Sequence, residues 1–318
     1  MRSKTKILQL AKKGYEKLFK PEIIPWNKTS GFDYTGQAAS DIIKNALEKD
    51  APVMIARLGS GEAELMNAYK NQKRSFAKYA SYVKGDIGAF WWDDTMFDYL
   101  FQIAGLFPLS ANTMNRFCEL MFEDVEYIDI LGSWLRDEKN LQHELKNAVK
   151  IRLADIEPYY HKDPWSVALE GKRILVIHPF ADTIQKQYAN RAYLFSDERV
   201  LPQFELRTMK AVQSIAGNKT EFNNWFDALQ FMKDKISKTD FDVALIGCGA
   251  YGLPLAAHIK RLGKKAIHMG GATQALFGII GKRWEQNEVA KFINPHWVRP
   301  SAIETPANAA TMENGCYW

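Results

Sequence analysis

Cysteine is scarce in this sequence, and long apolar runs are missing. Cys118, Cys248 and Cys316 are widely spaced and form no CxxC pair, which excludes a disulfide framework and a cysteine zinc site and predicts a reducing, cytoplasmic compartment. The longest uncharged stretch, residues 243–257, contains three glycines and a proline. It predicts a strand, a turn and a helix rather than a membrane span, and the N-terminal apolar run is too short for a signal peptide.

Positive charge is in excess at one end of the chain only. The formal net charge is +5, but residues 2–20 contain seven Lys and Arg against one acid, so the remainder is close to neutral. No basic stripe interleaved with aromatic residues is present, and we expect no nucleic-acid partner. The absence of repeats and low-complexity tracts, with 47% hydrophobic residues, predicts an ordinary globular enzyme-sized chain.

The first 35 residues are predicted to be a basic amphipathic helix and a linker. Apolar residues recur on one helical face: Ile7, Leu10, Ala11, Tyr15, Leu18 and Phe19. Such a helix can lie on an anionic membrane surface at the inner face, or dock on its own domain or on a partner protomer. Two prolines and a Thr-Ser-Gly turn in residues 21–35 indicate the linker.

From residue 36 onward, apolar strands alternate with helices. Strands are predicted at 52–58, 127–131, 173–177, 242–246 and 265–269, and helices at 38–49, 62–70, 94–106, 112–124, 181–193, 221–236 and 252–262. Strands without polar alternation indicate an α/β fold with a mostly parallel, Rossmann-like sheet covered by helices on both faces. We predict one α/β catalytic domain over 36–293 and a C-terminal tail, 294–318, that wraps over it.

Ligands of open parallel sheets bind beyond the carboxyl ends of the strands. One such end carries Gly247, Gly249 and Gly252 in a G-x-G-x-x-G pattern between a strand and a helix. This pattern favours a phosphate or nucleotide cradle, since the NAD version requires an acid after the next strand, where His268 and Gly270 stand. Glycines that serve helix–strand packing alone are the structural alternative.

Two charged residues flank the first strand end. Arg57 closes an apolar strand, where an unpaired guanidinium is costly, and its expected partner is Glu62 or a ligand phosphate. Glu62 lies in the first turn of the next helix and is either part of a capping arrangement with Ser60 as N-cap, or a metal ligand or general base.

Other strand ends carry weaker signals. His178 can act as a general base, a phosphate donor or a structural histidine. Lys282 and Arg283 can neutralise a diphosphate or form a solvated turn. The adjacent pair Asp93 and Asp94 lacks the spacing of a metal-binding DxD motif, so we leave it out of the site.

Several of these segments occur together in one known family. ARLGSGE (residues 56–62), VIHPF (176–180), the glycine-rich run 242–284 and ENGCYW at the C-terminus resemble bacterial proteins of polysaccharide-biosynthesis clusters related to the GT-D-type glycosyltransferases. The resemblance spans roughly residues 50–318. It implies an enzyme that transfers a sugar from a nucleotide donor to a glycan or lipid-linked acceptor.

The resemblance also implies roles for individual residues. The family's D-x-E motif, which contacts a divalent metal and the donor, corresponds to Ser60, Gly61 and Glu62, so one of the two metal carboxylates is replaced. Glu62 is the first candidate for the catalytic base and for a ligand of Mn²⁺ or Mg²⁺, Asp182 is the second candidate base, and NAD is not expected. The predicted donor-binding residues are Arg57, Gly59, Ser60, Gly61, His178, Gly247, Gly249, Tyr251, Gly252, Gly270, Gly271, Lys282 and Arg283.

Two other functions fit the same residues. One is a nucleotide-dependent oxidoreductase that uses the glycine-rich turn at 247–252. The other is a non-catalytic accessory protein that binds a nucleotide or a glycan in the same pathway. The oligomeric state, the sugar and the acceptor do not follow from the sequence.

Overall fold

The computed structural model describes residues 2–21, 25–29, 31–72, 76–91, 97, 104–307, 309–311 and 315–318. Within these residues the apolar runs form one sheet of seven parallel strands. The strands are β1 (Val53–Ala56), β2 (Ile130–Ser133), β3 (Val149–Arg152), β4 (Arg173–His178), β5 (Glu205–Lys210), β6 (Val243–Ile246) and β7 (Lys265–His268). The predicted α/β fold with a parallel sheet is confirmed.

The helices precede, connect and follow the strands. They are α1 (Arg2–Phe19), α2 (Gln37–Glu48), α3 (Ser60–Lys70), α4 (Phe76–Lys84), α5 (Ala111–Val125), α6 (Ala181–Ala189), α7 (Trp225–Ser237), α8 (Gly252–Arg261), α9 (Ala272–Leu276) and α10 (Lys282–Glu285). Short 3-10 turns join several of these elements, among them Arg136–Leu141 and Gly249–Tyr251. The helix predicted at 94–106 and the pair Asp93 and Asp94 fall mostly or wholly outside the described residues.

The order of the strands places a ligand crevice near the middle of the sheet. From one edge to the other the order is β3-β2-β1-β7-β6-β4-β5. The connection that follows β6 leads toward β1 and the β3 edge, whereas the connection that follows β4 leads to the opposite edge at β5, so the direction of winding reverses between β6 and β4. In doubly wound sheets the carboxyl ends of the strands at such a reversal form the ligand crevice.

Two apolar clusters cover the two faces of the sheet. One contains Met54 and Phe117 with the helices α3, α5, α7 and α8, and the other contains Ile55 and Trp165 with α2 and α6. Successive residues of β1 therefore face opposite clusters, as the alternation of a strand requires. Each of these four side chains is completely buried, which explains why the strand reads as a continuous apolar run.

Two edge strands escaped prediction because they are not apolar runs. β3 and β5 lie at opposite edges of the sheet, and only one residue in each is buried. Their exposed positions carry Arg152, Glu205 and Lys210, which is the usual protection of an edge against pairing with another chain. Among the described residues, no helix has both the length and the apolar character that a membrane crossing requires.

Candidate functional site

The carboxyl ends of four strands border one cavity of about 360 Å³. The ends of β4, β6 and β7 approach closely at Gly247, where a Cβ would lie 2.6 Å from the Gly270 carbonyl oxygen and 2.7 Å from Cδ2 of His178. Any larger residue at 247 would force these strand ends apart. Glycine at this position therefore lets the three ends enclose a single space.

Most of the sequence-predicted residues line this cavity. The lining includes Arg57, Gly59, Ser60, Glu62, His178, Gly247, Gly249, Tyr251, Gly270, Gly271 and Arg283. Four predicted residues lie elsewhere: Gly61 and Gly252 are buried in their helices, and Asp182 and Lys282 are exposed outside the cavity. The backbone N–H of Asp182 donates to Glu304, 2.9 Å away, and Asp182 is not among the residues that line the cavity.

Arg57 extends from β1 across the middle of the cavity. Its guanidinium lies 4.9 Å from the ring centre of Trp134, and its Cδ would lie 3.5 Å from a Cβ at Gly270. Burial lowers the pKa of Arg57, and the nearby Glu62 carboxylate opposes this shift. Within the described residues, its guanidinium packs on an aromatic face and makes no hydrogen bond to an acid. The arrangement leaves guanidinium N–H groups for an anion in the cavity.

Arg283 provides a second cation from the opposite wall. Its Nη1 donates to the hydroxyl of Tyr317 at 3.1 Å, and the guanidinium also lies 4.7 Å from the Tyr317 ring centre. The backbone of the C-terminal segment is held in place because Arg283 N–H donates to Cys316 and the Gln274 side-chain amide donates to Tyr317. Tyr317 and Trp318 thereby become a wall of the cavity.

Glu62 lies at the start of α3 but does not take part in the predicted capping arrangement. The N-cap residue is Gly59, and Ser60 is already helical, so the prediction of Ser60 as N-cap is wrong. The Glu62 side chain folds back over Gly59, where a Cβ would overlap its carboxylate. Glycine at 59 thus allows the acid to stand at the positive end of the helix and beside the cavity.

Two buried histidines at the cavity are neutral. Nδ1 of His178 accepts a hydrogen bond from the Phe180 N–H at 2.9 Å, so Nε2 carries the proton. Burial lowers the pKa of His178 to about 3, and burial, assisted by the Arg57 charge, lowers the pKa of His268 to about 3. At neutral pH His178 is therefore a hydrogen-bond donor rather than a general base.

The glycine-rich turn at 247–252 ends β6 and leads into α8. Gly247 N–H is used within the sheet, donating to Ile177, and residues 249–251 form a 3-10 turn before the helix begins. The first N–H groups of such a turn have no partner within it, and residues 247–251 line the cavity. Cys248 contributes no reactive thiolate, because burial raises the pKa of its thiol.

A comparison with protein-family models identifies part of this architecture. Residues 155–276 match the model of the GT-D fold-like domain. These residues are similar to a GT-D-like domain. The predicted resemblance is confirmed, and the match includes β4, β6 and β7 with His178 and the glycine-rich turn. No curated protein and no solved structure shows significant similarity to the chain.

Outside the matched residues, the loop after β1 adds Arg57 to the cavity, the first turn of α3 adds Glu62, and the segment after α9 adds Arg283 with Tyr317 and Trp318. Sequence reasoning missed the aromatic side chains around the cavity: Trp26, Trp134, Phe180, Tyr317 and Trp318. It also missed Gln274, which is completely buried and whose Oε1 has no hydrogen-bond partner among the described residues. A tryptophan directly after the carboxyl end of β2 was the available signal for Trp134.

The donor set of the cavity fits a divalent cation poorly. The described residues contain no group of three or more His, Cys, Asp and Glu side chains that could hold a metal ion. In that same part of the chain, Glu62 is the only carboxylate that lines the cavity, and Arg57 lies close enough to act on it electrostatically. Two arginines, Arg57 and Arg283, are the groups of this lining that could neutralise an anionic ligand.

Proposed function

We propose that the protein is a glycosyltransferase that moves a sugar from a nucleoside-diphosphate donor to a glycan or lipid-linked acceptor in cell-surface polysaccharide synthesis. The observation that carries the proposal is Arg57, a partly exposed residue whose guanidinium is desolvated where it packs on Trp134, at a cavity that Arg283 also lines. A buried guanidinium without a hydrogen-bonded acid is costly, and a diphosphate would supply the missing acceptors. The GT-D-like domain supports the same class of reaction.

The residues suggest how transfer would proceed. As the bond between the sugar C1 and the diphosphate oxygen breaks, negative charge grows on the leaving diphosphate. Arg57, Arg283 and the Nε2–H of His178 would stabilise that charge, as preorganised donors do in a buried site. The Glu62 carboxylate would take the proton from the attacking acceptor hydroxyl, so a new C1–O bond replaces the one that breaks.

Substitution of Arg57 tests the proposal on two readouts. We expect Arg57→Gln to weaken binding of the cognate nucleotide-sugar about tenfold or more, since a charge-assisted hydrogen bond contributes roughly 1.5–3 kcal/mol. The same change should leave the ligand-free protein as stable as before or more stable, because it removes a buried charge. Arg207→Gln, which removes a half-buried arginine on edge strand β5, is the matched control. Unchanged donor affinity in Arg57→Gln would refute the assignment.

A thermal-shift screen separates the proposal from its two alternatives. UDP-, GDP-, CDP- and dTDP-sugars are compared with NAD and NADP, and a ligand at a hundredfold excess over its dissociation constant stabilises by about 2.7 kcal/mol. Stabilisation by NAD(P) alone would favour the oxidoreductase. Hydrolysis of the donor without acceptor would exclude a non-catalytic accessory protein. Glu62→Gln should bind the donor normally and lose transfer by roughly 10²–10⁴-fold.

We also propose that α1 rests on an anionic membrane surface, where a lipid-linked acceptor would be found. The helix packs on the protein through Leu8 and through Lys12, whose Nζ lies 4.9 Å from the Tyr82 ring centre. Its other face leaves Ile7, Leu10 and Leu18 at least 62% exposed. Lys6, Lys13 and Lys17 flank that face, and each lysine near an anionic bilayer contributes about 1 kcal/mol.

Vesicle flotation tests this surface. The protein should float with vesicles of phosphatidylcholine and phosphatidylglycerol, and should not float with phosphatidylcholine alone. Ile7→Gln should reduce flotation, whereas Ile303→Gln, at another exposed isoleucine, should not. If sedimentation instead shows a dimer that Ile7→Gln dissociates, the face is an interface between two copies and the membrane proposal is wrong.

A further inference from the structure

A second cavity of about 310 Å³ adjoins the first, and Trp26 and Ser60 line both. One wall is a single face of α3, along which Ser60, Ala63, Glu64, Asn67 and Asn71 recur at helical spacing. The opposite walls are residues 135–137 and 88–89. We call this space the α3 groove. It leads from the Glu62 end of the candidate donor site along the helix.

Asn67 lines the α3 groove and carries a buried hydrogen-bond acceptor. The residue is 6% exposed, and its Nδ2 donates to the Ala63 carbonyl at 2.8 Å and to the Asp137 carbonyl at 3.3 Å. These two carbonyls can only accept, so the amide orientation is fixed. Its Oδ1 has no hydrogen-bond partner among the described residues. A buried acceptor of this kind requires a donor such as a ligand hydroxyl.

Trp26 supplies a flat apolar surface between the two cavities. Its side chain is 55% exposed, although its ring meets that of Trp134 edge-on at 5.5 Å. The Trp26 carbonyl accepts a hydrogen bond from the Arg136 N–H at 2.9 Å, which fixes the segment against the 3-10 turn at Arg136–Leu141. An exposed indole beside amide and carboxylate groups matches a sugar ring, which has one apolar face and a rim of hydroxyls.

We propose that the α3 groove is the acceptor subsite and that it binds a carbohydrate. The proposal rests on the proposed transferase function and adds the chemical class of the acceptor and its location. A sugar stacked on Trp26, with a hydroxyl donating to Asn67 Oδ1, lies along α3 and extends toward Ser60 and Glu62. The attacking hydroxyl transfers its proton to Glu62, its oxygen bonds to C1 of the donor sugar, and the bonding electrons leave with the diphosphate.

Saturation-transfer NMR with methyl β-glucoside, methyl β-galactoside and methyl β-N-acetylglucosaminide tests the subsite without any reaction. We expect saturation transfer from the wild-type protein to at least one glycoside, and its loss in Asn71→Leu and Asn67→Leu. The control Asn45→Leu, on the exposed side of α2, should retain it. If Asn67→Leu fails to fold, Asn71→Leu still tests the subsite, because Asn71 lies at the end of the helix.

Kinetics then separate this proposal from the proposed function. Asn71→Leu should raise the KM for the glycoside acceptor about tenfold, as loss of a hydrogen-bonding group would, and leave donor hydrolysis without acceptor unchanged. Donor hydrolysis with no glycoside binding, or binding only of a Gly-Ser peptide, overturns the α3 groove assignment and leaves the transferase proposal intact. Glycoside binding without any donor binding supports the groove as a carbohydrate site and refutes the transferase.

Discussion

Acidification should destabilise this protein through two histidines of the cavity. His178 and His268 are each 4% exposed, and their pKa values are lowered to about 3 from an ordinary value of 6.5. In the unfolded chain both bind protons as the pH falls below 6.5, whereas in the folded protein they stay neutral down to about pH 3. The unfolded state therefore gains protons across this window, and stability falls as the pH falls.

The size of the effect follows from the two pKa values. Each pH unit below the unfolded pKa costs about 1.4 kcal/mol per histidine. Between pH 7.5 and pH 5, each histidine contributes a loss of about 2 kcal/mol, so the pair accounts for about 4 kcal/mol. That is a large part of the 5–15 kcal/mol by which proteins of this kind are stable.

Urea unfolding at pH 7.5 and pH 5, followed by circular dichroism, measures the effect. Asparagine keeps a polar side chain for the local hydrogen bonds but does not bind a proton. The stability of the His178→Asn/His268→Asn double variant should therefore lose most of its dependence on pH. His296→Asn, at an exposed position, is the matched control and should keep it. If the double variant loses as much stability at pH 5 as the wild type, the two imidazoles are not held neutral by burial and the reasoning is wrong.

Three further predictions concern the site and its support. The rate of sugar transfer in EDTA should stay within about twofold of the rate without it, because arginines rather than a metal neutralise the diphosphate. Loss of transfer in EDTA and its recovery with Mn²⁺ would contradict this. Glu138→Ala should lower the free energy of unfolding by about 2–4 kcal/mol in urea melts, since Glu138 accepts hydrogen bonds from the N–H groups of Trp134 and Leu135 at 3.1 Å. An unchanged free energy of unfolding would refute this prediction. Gly252→Ala should cost about 1–3 kcal/mol because its Cβ would overlap the His268 ring, whereas Gly14→Ala, with open space around it, should not destabilise.

The centre of the fold was predictable because its strands are buried on both faces. The runs around Met54, Leu175 and Leu245 are continuously apolar, and each is a strand of the sheet. β2 was predicted at 127–131 but occupies Ile130–Ser133, because Asp129 fixes the start by accepting a hydrogen bond from the Met54 N–H at 2.8 Å. Tertiary contacts of this kind set strand boundaries and leave no trace in local periodicity.

The glycine-rich strand ends were also predictable, since glycine marks close backbone approach. The aromatic walls were not, because burial of a tryptophan cannot be inferred from the sequence alone. Trp165 and Trp225 are completely buried in the two clusters, whereas Trp26 is 55% exposed beside the cavity. Tyr317 reaches the site from a segment distant in sequence, and only the folded chain brings it there. The roles of the site residues stay predictions for the experiments above.

Trp134 lines the candidate donor site and contacts Trp26, which lines both candidate subsites. One part of its ring receives the guanidinium of Arg57, and the ring also meets the edge of Trp26. Its Nε1–H donates to the Leu58 carbonyl at 2.9 Å, which ties it to the end of β1. An anion that draws Arg57 toward itself would change the packing around this indole. Because Trp134 contacts Trp26, the change would extend to the surface on which the acceptor sugar stacks. We therefore expect compulsory-order kinetics, with the nucleotide-sugar as the leading substrate.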